Sequence, residues 1–234
     1  MILGPEDAIA EFIDNSIQAC RGVTPSRNIG VYFFSRGVMG TNSNFLMIAD
    51  NGCGMTVNGL REFATFSLDQ ETRHNVADPN DKSFISKFGV GVKQAGFFLG
   101  DRITVLTKTK QSNTLLRFSM DDGEFAERYK AKKSVYESEV VELPLSCDHY
   151  LESDEAENYQ NMHELITNHV LTETQFTISV IRLRWDIVKI MHAARYTLHM
   201  KLGEIYHFHL HPEHSAENIP QLFQKNISKT PSKR

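Results

Sequence analysis

The chain carries a carboxylate and a carboxamide one helical turn apart, Glu11 and Asn15. The surrounding residues 7–20 contain no Gly or Pro and place apolar side chains at helical spacing, which predicts a packed helix. Side chains four residues apart share a helix face, so this pair can hold a water molecule and a metal ion together. Magnesium takes few protein oxygens, which suits the Asn15 amide, and Glu11 would accept a proton from an attacking water. An amphipathic helix with a solvated polar stripe is the alternative.

A second motif follows an apolar run of strand length, residues 45–49, and reads Asp50-Asn-Gly52-Cys-Gly54-Met55. An ionised carboxylate only accepts hydrogen bonds, so Asp50 at a strand end can accept one from an exocyclic amine such as that of adenine. The two glycines allow a sharp turn or the close approach of a flat ring. A hairpin turn is the alternative, but helical spacing begins shortly after Met55, and a hairpin would continue as a strand.

The third motif is glycine-rich and ends in a lysine, in the order Gly89, Val90, Gly91, Val92 and Lys93. Gly89 and Gly91 free backbone amides to face an anion, the helix that follows favours phosphate at its N-terminus, and Lys93 adds a positive charge. The motif alone is weak. It lacks the Gly-Lys-Ser/Thr ending of a P-loop and follows a polar stretch, residues 67–82, instead of a strand.

Composition excludes several classes of protein. The 234 residues, 41% of them hydrophobic, suffice for one sizeable core, and no apolar run approaches the length needed to cross a membrane. A formal charge of −4 gives no general basic surface for nucleic acid. Three widely spaced cysteines fit reduced thiols better than a disulfide framework or a zinc site.

The remaining patterns predict a sheet with associated helices. A charged segment, residues 121–133, is predicted to be turn-like. Strands are predicted at 29–34, 45–49, 102–108, 114–119, 135–145 and 175–181, and helices at 7–20, 57–64, 162–170 and 185–202.

Taken together in this order, the motifs resemble those of the GHKL ATPases, which include gyrase, the ninety-kilodalton heat-shock chaperones, histidine kinases and MutL. Thr177, in the run Phe-Thr-Ile-Ser, matches the fourth motif of that superfamily. The resemblance covers residues 5–181. It implies an α/β fold of the α+β two-layer sandwich type, the Bergerat fold, in which a mixed sheet carries helices on one face.

The resemblance also implies a domain organisation. Residues 1–181 would form the ATP-binding domain, and residues 182–218 a helix and strand leading into an incomplete transducer-like domain. Residues 219–234 would form a basic, disordered tail.

Within the superfamily, the chain looks most like the microrchidia-type and SMC-hinge-containing chromatin ATPases. The similarity lies in three runs, at residues 10–16, 88–95 and 202–207. It implies binding of ATP with Mg²⁺, slow hydrolysis and nucleotide-dependent homodimerisation in a nuclear gene-silencing protein. Contacts with chromatin or nucleic acid would be made by regions outside this chain, and no membrane would be involved. In the alternative interpretation ATP is a structural switch that gates a binding module, and hydrolysis is incidental.

Transferred by position, the resemblance makes Glu11 the general base and Asn15 the magnesium ligand. Asp50 would bind the adenine amine with support from Thr177. The implied nucleotide contacts are Asn15, Asp50, Gly52, Gly54, Met55, Gly89, Val90, Gly91, Val92, Lys93 and Thr177, of which residues 89–93 would form part of a lid over the phosphates.

Two positions depart from the pattern of the superfamily. Gln18 stands where many members have Asp, and Val92 stands where close relatives have a third glycine. A valine at this point would stiffen the lid, which affects its closure and the hydrolysis rate more than nucleotide binding.

Overall fold

The computed structural model describes residues 4–23, 26–34, 44–64, 91–132, 139–147, 149–151, 160–193 and 195–206. The chain divides into two compact units, residues 1–192 and 193–234. Several predicted features lie outside the described residues. They are Gly89, Val90, the polar stretch 67–82, the first part of the strand 135–145 and the tail 219–234.

The first unit contains six strands and six helices among its described residues, numbered here in chain order. The strands are β1 (Ile29–Phe34), β2 (Phe45–Asp50), β3 (Gly100–Lys108), β4 (Thr114–Asp121), β5 (Val141–Pro144) and β6 (Phe176–Leu183). The helices are α1 (Pro5–Ala19), α2 (Val57–Ala64), α3 (Gly91–Leu99), α4 (Asp122–Lys130), α5 (Gln160–Thr172) and α6 (Trp185–Ala193). In the second unit the described residues form α7 (Arg195–Ile205).

The six strands form one sheet in the order β1-β2-β6-β3-β4-β5. All five pairings among the described strands are antiparallel, whereas the resemblance implied a mixed sheet. The α+β class is confirmed. The last strand, β6, inserts between β2 and β3, so that the strand carrying Thr177 runs beside the strand that ends at Asp50.

One face of the sheet carries α1 and α3. Leu46, Ile181 and Ile103 occupy one cross-strand row on this face. A Cβ on Gly96 of α3 would collide with the Ile103 side chain and lie 3.4 Å from the Phe12 ring of α1. The glycine therefore lets α3 pack closely between the sheet and α1.

The opposite face is covered by α5, which corrects the expectation of helices on a single face. All six residues of β2 are buried, so the strand needs a hydrophobic cover on both sides. Met162, Ile166 and Val170 supply it, because residues four apart form one apolar stripe on α5. The sheet residues in this core are Phe45, Met47, Ala49, Leu106, Leu115, Phe176, Ile178 and Val180.

Two secondary-structure predictions also need correction. The charged segment predicted to be turn-like contains α4, whose N-cap is Asp121, with its carboxylate accepting from the amides of Gly123 and Glu124 at 2.9 and 3.2 Å. Acidic residues in the first turn and basic residues in the last complement the helix dipole, so the charges stabilise this helix. The single helix predicted at 185–202 corresponds to α6 and α7, with residue 194 outside the described residues.

No helix in the described ranges is long and apolar enough to cross a membrane.

Candidate functional site

Asp50 is the last residue of β2, and only 3% of it is exposed. Its Oδ2 atom accepts a 2.8 Å hydrogen bond from the Ser16 hydroxyl on α1, and its Oδ1 atom accepts one of 2.9 Å from the Gly52 amide. The backbone of Thr177 contributes a further hydrogen bond. An ionised carboxylate has about four acceptor positions. Asp50 is therefore held in place and can still accept a hydrogen bond from a ligand amine.

The same environment changes the acidity of Asp50. Burial raises its pKa from the ordinary 3.8 to about 6, and the hydrogen bonds from Ser16, Gly52 and Thr177 offset part of that rise. At neutral pH the group is ionised but poorly hydrated. A desolvated carboxylate gains more from a hydrogen-bond donor than a hydrated one does, which favours recognition of an exocyclic amine.

The loop after Asp50 packs against the end of α1. A Cβ on Gly52 would lie 2.6 Å from the Cβ of Ala19 and 2.7 Å from Asp50 Oδ1, distances that real Cβ atoms do not show. The next amide, that of Cys53, donates a 3.0 Å hydrogen bond to the Ala19 carbonyl. This bond satisfies one of the carbonyls left free at the helix C-terminus. Gly52 thus has a packing role in addition to the predicted approach of a ring.

Position 54 requires a glycine for two reasons. Its φ of +67° lies in the left-handed region, and a Cβ would collide with the backbone carbonyl of Lys108 on β3. The loop therefore approaches β3 so closely that only a residue without a Cβ fits at this position.

We expect Gly54→Ala to lower the free energy of unfolding by at least ~2 kcal/mol, because the backbone strain and the collision add together. Gly22→Ala is the matched control. Its φ is +78° but no atom lies within 4 Å of a Cβ there, so only the strain remains, at ~1 kcal/mol. Urea unfolding of both variants measures the difference, and equal losses would contradict the close approach to β3.

Thr107 on β3 joins the loop to β6. Its hydroxyl accepts a 2.8 Å hydrogen bond from the Met55 amide and donates one of 2.9 Å to the Phe176 carbonyl. It also lies 3.3 Å from the Thr177 hydroxyl, which must be the donor because the Thr107 hydrogen is already used. Thr177 pairs with Asp50 across β6 and β2. The predicted supporting residue therefore lies beside the carboxylate it was predicted to support.

Glu11 and Asn15 lie on α1, at half-buried positions. The Asn15 Nδ2 group donates a 2.8 Å hydrogen bond to the Glu11 backbone carbonyl. Burial raises the pKa of Glu11 above its ordinary 4.5, and the charge of Asp14 raises it further. A carboxylate with a raised pKa is the better proton acceptor near neutral pH.

Gly91, the first residue of α3, lies against Glu11. A Cβ on Gly91 would collide with Glu11 Oε2 and lie 3.0 Å from its Cδ. The first amides of a helix lack intrahelical partners and favour anions. The N-terminus of α3, which favours anions, therefore lies next to the candidate base Glu11. This position agrees with a phosphate site at the third motif.

Lys93 is buried, with 1% of it exposed, and two of its contacts are with Phe63 on α2. Its Nζ atom donates a 2.5 Å hydrogen bond to the Phe63 carbonyl and lies 5.6 Å from the centre of the Phe63 ring. Carbonyls in the last turn of a helix lack partners and favour a cation, so Lys93 caps α2. Val92 is also buried. Phosphate binding by Lys93 stays a prediction.

Three residues of the site were given no role in the sequence analysis. Ser16 and Thr107 bond to Asp50 and Met55, and His169 on α5 lies 3.2 Å from the Asp50 carbonyl. Of these, Ser16 had a sequence signal, because it follows Asn15 in the helix that already carried the candidate chemistry.

A model of the family described as histidine kinase-, DNA gyrase B-, and HSP90-like ATPase matches residues 3–150. The chain belongs to this family, and the resemblance to the GHKL ATPases is confirmed.

Two curated relatives are similar over most of the chain. Both are called structural maintenance of chromosomes flexible hinge domain-containing protein 1. The human protein is 24% identical over 220 residues, and the mouse protein is 24% identical over 218 residues. Each match covers 87% of this chain and 11% of the relative, so the chain spans about a tenth of the length of these proteins.

Among solved structures, the crystal structure of the ATPase and transducer domains of DNA topoisomerase II from Balamuthia mandrillaris is similar. The match has a TM-score of 0.46 and 18% sequence identity, and it covers 78% of this chain and 38% of that one.

Proposed function

We propose that this chain is the ATP-binding head of a chromatin-associated ATPase, which binds ATP with Mg²⁺ and hydrolyses it slowly. The observation that carries the proposal is the buried carboxylate of Asp50, held by Ser16 and Gly52 beside a loop that excludes side chains. Such a carboxylate suits the amino group of adenine. Membership of the ATPase family supports ATP as the ligand, and the arrangement at Asp50 supports recognition of its adenine base.

Asn15 has the chemistry needed to hold a magnesium ion. Its Nδ2 group is engaged by the Glu11 carbonyl, so the amide orientation is set and Oδ1 is the atom available to a metal. No group of three or more His, Cys, Asp or Glu side chains suited to a metal occurs within the described ranges. Magnesium bound with nucleotide needs none, since phosphate oxygens and waters fill most of its coordination shell. When bound, the ion would neutralise charge on the phosphates.

Glu11 would act as the general base. In this role its carboxylate accepts the proton of a water that attacks the terminal phosphate. Burial and the nearby charge of Asp14 raise its pKa, which strengthens it as a base. The start of α3 at Gly91 lies against the same carboxylate, and the first amides of this helix would orient the phosphates.

The cellular role is proposed from the relatives. Their name refers to chromosomes and to a hinge domain, and a nuclear, gene-silencing protein that pairs two ATPase heads on binding nucleotide is consistent with it. Because this chain spans about a tenth of their length, contacts with chromatin would belong to regions beyond it. Equal dimerisation with ATP and with a non-hydrolysable analogue, measured by sedimentation, would favour a nucleotide-gated switch over a role for hydrolysis.

The central test is a calorimetric titration with ATP, with and without Mg²⁺. We expect the wild-type protein to bind ATP more tightly with Mg²⁺. Asn15→Ala should lose about tenfold in affinity, ~1.4 kcal/mol, only when Mg²⁺ is present. Asn161→Ala, on the exposed surface of α5, is the matched control and should behave as wild type. Absence of ATP binding by the wild-type protein would end the proposal, and an unchanged Asn15→Ala would end the role of Asn15.

A further inference from the structure

His169 contacts the end of β2 from the side of the sheet that faces away from α1. It lies in the last turn of α5, and its Nε2 atom is 3.2 Å from the backbone carbonyl oxygen of Asp50. Its ring packs edge-on against Phe176, with ring centres 5.3 Å apart and an interplanar angle of 79°. The histidine is thus held by one aromatic contact and directed at one main-chain atom.

The contact with the Asp50 carbonyl defines which nitrogen of the His169 ring carries the hydrogen. A carbonyl oxygen only accepts hydrogen bonds, so Nε2 must carry the hydrogen and donate it. Burial lowers the pKa of His169, which keeps the ring neutral at neutral pH, although the Asp50 carbonyl and the charge of Glu173 offset part of that effect. The ring therefore acts as a fixed neutral donor.

The side chain and the main chain of Asp50 are bound by helices on opposite faces of the sheet. Ser16 on α1 binds the carboxylate, whereas His169 on α5 binds the main chain of the same residue. Phe176, against which His169 packs, precedes Thr177, and Thr177 pairs with Asp50. α5 leads into β6 after a short turn, so one continuous segment carries both His169 and this neighbouring strand.

We propose that His169 is a positioning residue for recognition of the base, which holds the Asp50 main chain so that its carboxylate meets the 6-amino group of the purine. The inference rests on the proposed binding of ATP at Asp50. Hydrogen bonds weaken steeply when distance and angle depart from their optimum. Asp50 stays paired with Ile29 and Thr177 without this bond, but a small shift of its main chain would weaken the contact with the amine, while contacts with the phosphates persist.

The test compares affinity for ATP with affinity for purine riboside 5′-triphosphate, which lacks the 6-amino group. His169→Leu removes the donor and keeps an apolar side chain against Phe176. We expect its affinity for ATP to fall about fivefold, with little change for the analogue, so that the preference for ATP shrinks. His169→Gln places an amide donor near the position of Nε2 and should restore the preference.

His163→Leu is the matched control. This histidine lies on the same helix and stacks on Tyr150, at a ring distance of 6.2 Å, and should show the wild-type preference. Equal losses for both nucleotides in His169→Leu would indicate a structural role only and would overturn the inference, as would an unchanged preference. Asp50→Ala distinguishes failure of the proposed ATP binding from failure of the role of His169. If it loses ATP binding while His169→Leu keeps the full preference, only the role of His169 fails.

Discussion

Replacement of Glu11 with Gln is expected to abolish most ATP turnover while ATP binding persists. The substitution keeps the size of the side chain and its packing against Gly91, but the amide cannot accept a proton from water. Loss of a general base lowers turnover by about 10²- to 10⁴-fold. Phosphate release at saturating ATP and Mg²⁺ measures the rate, and calorimetry on the same preparation measures affinity.

Glu6→Gln makes the same chemical change in the first turn of α1 and serves as the control. It should leave the rate of phosphate release close to that of the wild-type protein. Turnover by Glu11→Gln at the wild-type rate would exclude Glu11 as the base. If Glu11→Gln lost both ATP binding and turnover, Glu11 would be needed for binding the nucleotide, and a role confined to proton transfer would be excluded.

Local spacing was sufficient to predict the parts of the site that lie within one element. Glu11 and Asn15 are one turn apart on α1, and Asp50 ends a buried strand followed by glycines that close packing requires. The family follows from the order of these motifs, and the match to the ATPase family confirms it. The assigned roles of these residues stay predictions.

Local sequence patterns could not predict the contacts between residues that are far apart in the sequence. Ser16 and Asp50 are 34 positions apart, Met55 and Thr107 are 52 apart, and Asp50 and His169 are 119 apart. No periodicity within a single helix or strand specifies such pairs, because the sheet order that joins them depends on β6 entering between β2 and β3.

Charge and burial explain two of the differences between prediction and structure, the helix α4 and the helix on the second face of the sheet. In α4 the charged residues were interpreted as marks of a turn, but their order along the segment caps a helix and complements its dipole. In β2 the continuous apolar run was assigned correctly as a strand. A strand buried on both faces needs two covering layers, and this requirement brings α5 to the second face.

ATP affinity is expected to fall as the pH is lowered through about 6, because the ionised form of Asp50 is the one that accepts the hydrogen bond from an amine. Burial raises the pKa of Asp50 from 3.8 to about 6, so the free protein takes up a proton in that range. A ligand that prefers the ionised form binds fully above the raised pKa. Below it, affinity declines by at most about tenfold per pH unit.

Asp50→Asn is the control for this pH dependence. Titration of Glu11 and of the nucleotide phosphates persists in the variant, so the difference between the two calorimetric profiles from pH 5 to 8 isolates Asp50. We expect the variant to bind ATP at least tenfold more weakly at pH 8, with the gap closing toward pH 5 as the wild-type carboxyl becomes protonated. Parallel profiles across the whole range would show that the charge of Asp50 does not take part in binding the base, and a gap that widens at low pH would reverse the sign of the proposed linkage.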